Sequence, residues 1–446
     1  MIKNLIAPIK ELRTFLILWI TQSFSALGSA MTNFALVIWS YQQQGSALTT
    51  SVLAVCSYAP YVLLSIFAGA LSNRWNKKVT MLACDSVAAV CSVCVLILLT
   101  TGNLHIWHLY LINALNGLMN TVQQPASEVT ISLLAPQKHY QKVSGLRSFS
   151  NSLVTILTPV IATAMLSFTN IYFIILFDLI TFVVAFIALL CFIKIPKVKE
   201  DIKAAGETVI QLVKGGIRYL WDNRGILDLM LFLAVINFTA SIFNAALPAM
   251  MLSRSGAGEV ALGAVNTVTG LATLLGSILV SFMPPPKSRV RVICNCLLFS
   301  MSTENFILAF GRSIPVWCIG AVLGWIFIPV MGANMDVLFR TKIPIEMQGR
   351  VYSVRNSLQF FTIPLGYLCG GFLVDRVFEP FMAAQSTSSV WITLFGSGKG
   401  SGAAMLFFVI GMFGALSCLP FRADKNIWKL ETKDLKPYLG EGTTDL

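Results

Sequence analysis

"NSLVTILTP" occupies Asn151–Pro159, and "NSLQFFTIP" occupies Asn356–Pro364. Both open on Asn-Ser-Leu and both close on proline. They begin 356 − 151 = 205 residues apart in a chain of 446. Two further landmarks keep nearly the same spacing. "GALSNRWNKKV" from Gly69 and "GSILVSFMPPPKSRV" from Gly276 lie 207 apart, and each runs from glycine through a short apolar stretch into a basic loop. Glu128 and Asp336 lie 208 apart, each near the end of an apolar run. Three landmarks at near-constant offset predict a chain made of two like halves.

The medium that holds those halves follows from composition. The chain is 56% hydrophobic and 12% charged, with mean hydropathy +0.75. A soluble domain carries about 25% charged residues, so the runs belong in a bilayer. A spanning helix needs about 20 apolar residues. Twelve runs qualify: 13–40, 47–72, 79–101, 106–133, 142–168, 170–193, 224–252, 259–282, 290–311, 314–339, 348–377 and 402–421. The first is too long for the apolar core of a signal peptide and is expected to be a full span.

The predicted fold is an all-α integral membrane protein, with twelve transmembrane helices in two six-helix parallel pseudo-repeats. Residues 1–193 form the first half, 194–223 a cytoplasmic linker, 224–421 the second half, and 422–446 a charged, mobile cytoplasmic tail. Val209, Ile210, Val213, Ile217 and Leu220 recur at helical spacing in the linker. They fit a helix lying on the membrane surface or one packed on the bundle. The Ser- and Gly-rich segment 378–401 is expected to be a flexible outer loop.

Twelve spans put both termini on one side. With that side inside, 26 of the 32 lysines and arginines fall on inner segments, as cytoplasmic loops require. The net charge of +12 therefore reports topology and calls for no nucleic-acid partner. All ten cysteines lie inside apolar runs, where they behave as small hydrophobes. No metal-ligand cluster, Ser/His/Asp arrangement or phosphate loop is present, so neither an enzyme nor a cofactor is expected. Parallel repeats about an axis along the membrane normal are a transporter architecture.

Polar residues inside spans are costly against lipid. Asn113, Asn116, Asn120 and Gln123 are spaced 3, 4 and 3 and share one face of the fourth span. Gln22, Ser25, Ser29 and Asn33 make a similar stripe on the first. Asn237, Ser241 and Asn244, with Phe238 and Phe243 nearby, do so on the seventh. The tenth carries Trp325, Phe327 and Asn334. Such stripes either face a polar cavity or bond to neighbouring helices. Asp85, Asp178 and Glu304 are lone acids in the third, sixth and ninth spans and are candidates for ion coupling. Arg147 and Arg355 each follow their half's inner acid by 19 residues. They either complete gate pairs or snorkel to headgroups. Pro159 and Pro364 sit at equivalent places and are expected to bend their helices.

The loop Gly69–Val79 resembles the signature between the second and third helices of the major facilitator superfamily. "QSFSALGSAMTNFAL" in the first span, "GSAL" at 45–48, "GIRYLWDNRGIL" before the seventh span and "IPIEMQGRVYSVRNSL" entering the eleventh resemble its macrolide-efflux branch of drug exporters. The likeness covers roughly residues 12–420. It implies an alternating-access exporter whose first, fourth, seventh and tenth helices line a cavity, with the third, sixth, ninth and twelfth bracing it. It implies gating by Gly69, Arg74 and Lys77 with Glu128, and by Asp336 in the second half; Asn73, Lys78, Arg350 and Arg355 are further gate candidates.

The chain departs from that pattern in two places. Asn73 stands where the signature has aspartate. The fourth span reads "NALNGLMN", without the arginine that drug antiporters often carry there. The expected function is a monomeric secondary exporter of amphipathic, macrolide-like molecules in the plasma membrane, run by the proton gradient. A siderophore, lipid or metabolite exporter and a non-transporting scaffold or receptor are the alternatives.

Overall fold

The computed structural model describes residues 11–74, 76–134, 140–195, 209–284 and 286–432. Among them every regular element is helical. The first six spans are α1 (Arg13–Gln44), α2 (Ala47–Arg74), α3 (Lys77–Thr100), α4 (Ile106–Leu134), α5 (Tyr140–Phe168) and α6 (Ile171–Ile187), which continues as a π-helical turn over Ala188–Phe192. The linker forms α7 (Val209–Asp222). The later spans are α8 (Arg224–Ser253), α9 (Glu259–Phe282), α10 (Arg289–Phe310), the pair α11 (Ile314–Trp325) and α12 (Ile328–Lys342), α13 (Ile345–Phe372) and, after two short helices α14 (Glu379–Ala383) and α15 (Val390–Phe395), α16 (Ser401–Ala423). The last element is α17 (Lys425–Thr432). Eleven helices among the described residues are long and apolar enough to cross a membrane. The span outside that set is α4, 29 residues long, which carries the amide stripe.

Caps fix where several helices begin and end. α1 stops at Gly45, whose φ of 61° suits glycine and whose N–H returns to the Tyr41 carbonyl at 2.6 Å. The Asn76 side chain caps α3 by accepting from the N–H groups of Lys78 and Val79. Asn170 and Ser288 cap α6 and α10 in the same way. The tenth span was expected as one run over 314–339. It is interrupted at Ile326–Phe327, because Pro329 has no N–H to offer the Trp325 carbonyl one turn back.

The chain forms two compact units. The first comprises 1–200 with 257–270, and the second comprises 201–256 with 271–446. In the first, Leu27, Met31, Val95, Leu109, Ile174 and Ile175 form a buried cluster. Close backbone approach is set by glycine. A Cβ at Gly117 on α4 would collide with the Ser57 carbonyl on α2, and one at Gly28 on α1 would meet Thr181 and the Asp178 backbone on α6. The second unit repeats the α2–α4 approach between the corresponding spans: Gly276 on α9 abuts the Ile326 carbonyl at the α11–α12 break. Gly366 and Gly370, which follow Pro364 within α13, seat that helix against Phe238 and Ile242 of α8.

Two segments differ from their sequence reading. The end of the chain folds back as far as residue 432. Asp424 caps α17 through the Asn426 N–H at 2.7 Å, and Ile427 and Leu430 are buried at 1% and 2% exposure beside Tyr219, Leu220 and Leu229. Glu431 then accepts from the Val290 N–H at 2.7 Å, at the start of α10. The outer segment 378–401 is built as well. Glu379 accepts from the N–H groups of Gly400 and Ala403, while Arg254 donates to the Gly311 carbonyl at 3.2 Å and to the Phe395 carbonyl. Three glycines with positive φ, Gly396, Gly398 and Gly400, let the chain make that turn. The linker helix packs inward through Tyr219 and Leu220 and leaves Ile217 and Trp221 exposed.

Candidate functional site

The amide stripe of α4 and the polar stripe of α1 wall the same cavity, which lies inside the first unit and has a volume of about 580 Å³. Gln22, Ser25, Ser29 and Asn33 reach it from α1, and Asn113, Asn116, Asn120 and Gln123 from α4. Helical pitch explains the coincidence, since residues three and four apart stand above one another. Ile112, Met119, Leu179 and Phe182 give the wall apolar area between the polar groups.

The structure adds three charged groups that were not placed there from sequence. Asp85 on α3, Asp178 on α6 and Arg147 on α5 all line the cavity. Asp85 accepts from the side-chain amides of Gln123 at 2.5 Å and Gln22 at 3.3 Å, which ties α3 to α4 and α1. Asp178 accepts from the hydroxyls of Ser29 at 2.8 Å and Ser92 at 3.0 Å, which ties α6 to α1 and α3. The expected division into lining and bracing helices is therefore corrected for this unit, since α3 and α6 supply its carboxylates. Arg147 stands on the cavity wall. Not every amide is committed. Asn113 bonds back to the Leu109 carbonyl at 2.9 Å, but the Asn116 carbonyl oxygen is buried without a hydrogen-bond partner. An orphaned buried acceptor costs about 1–3 kcal/mol and marks a place for a water or a ligand donor.

The candidates of the second unit are placed differently. Phe243, expected to line a cavity, is 7% exposed and packs edge-to-face on Phe407 with centroids 5.2 Å apart, so its role is packing. Ser241 bonds back to the Asn237 carbonyl; Asn237 and Phe238 are half-buried, and Asn244 is exposed. The Trp325 indole N–H donates to Glu304 at 3.0 Å. Gly324 makes room for that carboxylate, because a Cβ there would strike it. The two candidates are thus one pair, a buried Glu304 and a half-buried Trp325, beside the break in the tenth span.

The gating residues are partly visible. Lys78 donates to the Leu190 and Ile193 carbonyls at 2.9 and 2.8 Å and so satisfies the C-terminal end of the sixth span. Lys77 is buried. Asp336 is exposed, and the Arg355 guanidinium lies 5.7 Å from the centre of the Phe339 ring. The side chains of Gly69, Asn73, Arg74, Glu128 and Arg350 lie outside the described residues. Pro159 and Pro364 each lie inside a continuous helix.

Comparison with known proteins places this architecture. The model of the Major Facilitator Superfamily matches residues 18–367. The macrolide efflux protein A of Streptococcus pyogenes is 23% identical over 366 residues, covering 81% of this chain and 90% of its own length. Its namesake from Enterococcus faecalis is 23% identical over 325 residues, covering 72% and 99%. Among solved structures, a mutant form of the nucleoside transporter NupG superposes with a TM-score of 0.70 at 10% identity, covering 92% of this chain and 99% of that one.

Proposed function

Because the chain belongs to the Major Facilitator Superfamily, we propose that it is a secondary exporter of amphipathic small molecules, run by proton antiport. The observation that carries this reading is the cavity of about 580 Å³, with amides, hydroxyls and two carboxylates set among apolar side chains. A pocket of 300–1,000 Å³ suits a drug-sized molecule. The macrolide efflux relatives support a bulky cargo. Asp85 and Asp178, on the cavity wall, are the proton carriers favoured by position, with Glu304 the candidate of the second half. Residues 1–193 and 224–421 act as the two moving halves, joined by 194–223. Both termini are cytoplasmic in the plasma membrane, a placement supported by the lysine and arginine distribution. Arg74, Lys77 and Glu128, with Asp336 in the second half, serve the inner gate, and the exporter works as a monomer.

Expression in a bacterium stripped of its own pumps should lower the accumulation of macrolides and lipophilic dyes. Collapse of the proton gradient should restore it. Unchanged accumulation across a broad panel would remove the export reading, and export that survives collapse of the gradient would remove the coupling. Within the cavity, Asn116→Leu and Asn120→Leu should each shift the relative export of two cargoes by roughly tenfold, the scale of one hydrogen bond gained or lost in a dry site, at unchanged protein level. An unaltered cargo profile would return the amide stripe to a role in helix packing.

A further inference from the structure

The linker helix α7 turns one face to the bundle and the opposite face outward. Tyr219 and Leu220 are buried, and the helix packs against α13 and α8. Lys214, Ile217, Arg218 and Trp221 recur at spacing 3, 1 and 3 on the other face, and all four are exposed. Ile217 and Trp221 stay 42% and 55% exposed, although both are large and apolar. A face that carried charge alone would suit water. A face that sets an isoleucine and a tryptophan between cations suits the boundary of a bilayer.

The corner between α7 and α8 extends this face. Asn223 is the single residue between the two helices. It is buried, its backbone N–H and its side-chain amide both donate to the Tyr219 carbonyl, and its own carbonyl accepts from the Ile226 N–H. That knot sets Arg224 back over Trp221, with the guanidinium 4.0 Å from the ring centre. A stacked guanidinium keeps its fork of N–H donors in one plane and open to a phosphate. Two nearby acids are turned elsewhere. Asp424 accepts from the Asn426 N–H and Asp228 from the Asn426 side-chain amide, so both serve to hold α17. Asp222 is the one acid in the sequence of α7, against Lys214, Arg218 and Arg224.

We infer that this face is a binding site for anionic phospholipid. Lys214, Arg218 and Arg224 hold the phosphate and headgroup, and Ile217 and Trp221 meet the upper acyl chains. The occupant is a lipid and not a soluble anion, because a free phosphate would leave the two apolar side chains wet. The lipid belongs to the inner leaflet, which rests on the cytoplasmic placement proposed for 194–223. The site lies in the second unit, apart from the cavity of the first, and takes lipid whatever the cargo is.

The test uses the purified full chain in nanodiscs of equal parts phosphatidylcholine and phosphatidylglycerol, with bromine on the acyl chains of one lipid at a time. Both leaflets then carry the same lipids, so the outcome does not turn on which side α7 faces. Trp221→Phe, measured beside wild type, isolates the fluorescence quenching that Trp221 supplies. By that quenching, phosphatidylglycerol should be at least about fivefold richer than phosphatidylcholine around Trp221, the effect of one cation beside an anionic surface. The double variant Lys214→Gln, Arg218→Gln should bring the ratio towards one at an unchanged melting temperature. If the double variant melts lower than wild type, Lys214→Gln alone should still lower the ratio. Equal amounts of the two lipids around Trp221 overturn the inference, as does a ratio that neither variant moves. Absence of Trp221 quenching by either lipid puts the face in water and overturns it as well. A ratio abolished by excess inorganic phosphate at constant ionic strength assigns the face to a soluble anion and removes the lipid.

Discussion

Gly117→Val should abolish accumulation of folded protein in the membrane. Gly117 faces the Ser57 carbonyl across the α2–α4 contact, so an added Cβ would overlap the oxygen and lie 2.9 Å from the carbonyl carbon. A flexible side chain could turn away, but the backbone of a spanning helix cannot. Forcing extra methyl groups into packed structure costs about 1–3 kcal/mol and more where the neighbour is rigid. Any relief must come from moving α4, which carries Asn113, Asn116, Asn120 and Gln123 into the cavity. Protein that survives should therefore have lost export as well. Gly332 on α12 is the control, since nothing lies within 4 Å of a Cβ there. Gly332→Ala should change stability by no more than about 1 kcal/mol. Thermal unfolding in detergent and the yield of monodisperse protein read both variants. A Gly117→Val protein that melts with wild type would mean that the two helices do not approach as described.

Ile427→Asp should be nearly as severe, although it lies outside every span. Ile427 is 1% exposed in a cluster with Tyr219, Leu229 and Phe421. A carboxylate there meets neither water nor a cation within that apolar cluster, and burying an unpaired charge belongs to the small class of changes costing roughly 3–5 kcal/mol. The neighbouring exposed Lys425→Ala supplies the comparison and should fall within about 0.5 kcal/mol of wild type. The two melting temperatures distinguish a docked helix from a loose tail. Equal values would restore the tail to the mobile segment that its charge predicts.

The contrast between these residues shows what could be read from the chain alone. A stripe at spacing 3, 4 and 3 needs only the pitch of a helix, so the α1 and α4 walls were legible without a structure. Eleven of the spans were legible from hydropathy, and the 205-residue offset supplied the doubled architecture that calls for a twelfth in α4. Rotation of α3 and α6 about their own axes was not. Asp85 and Asp178 stood out as single acids in apolar runs, but the assignment of their helices to bracing kept them off the expected cavity wall. Phe243 was misplaced for the same reason, because an aromatic at helical spacing looks alike on a cavity wall and in a core. The end of the chain misled through composition. Its lysines and aspartates outnumber the two residues, Ile427 and Leu430, whose spacing of three forms the buried edge. The interruption of the tenth span was available in Pro329, since a proline inside an apolar run removes one N–H from the helix ladder.

The exclusion of α4 from the set of self-sufficient apolar spans reaches back to how the protein is made. A segment with four amides on one face gains little by entering lipid alone. Its partners are already synthesised when it leaves the ribosome: α2, which offers the groove for Gly117, and α3, which offers Asp85 to Gln123. Entry into the bilayer beside α2 and α3 gives Gln123 its carboxylate partner and Gly117 its close contact from the outset. The side chains that wall the cavity thus also tie the settling of α4 in the bilayer to the two spans made just before it.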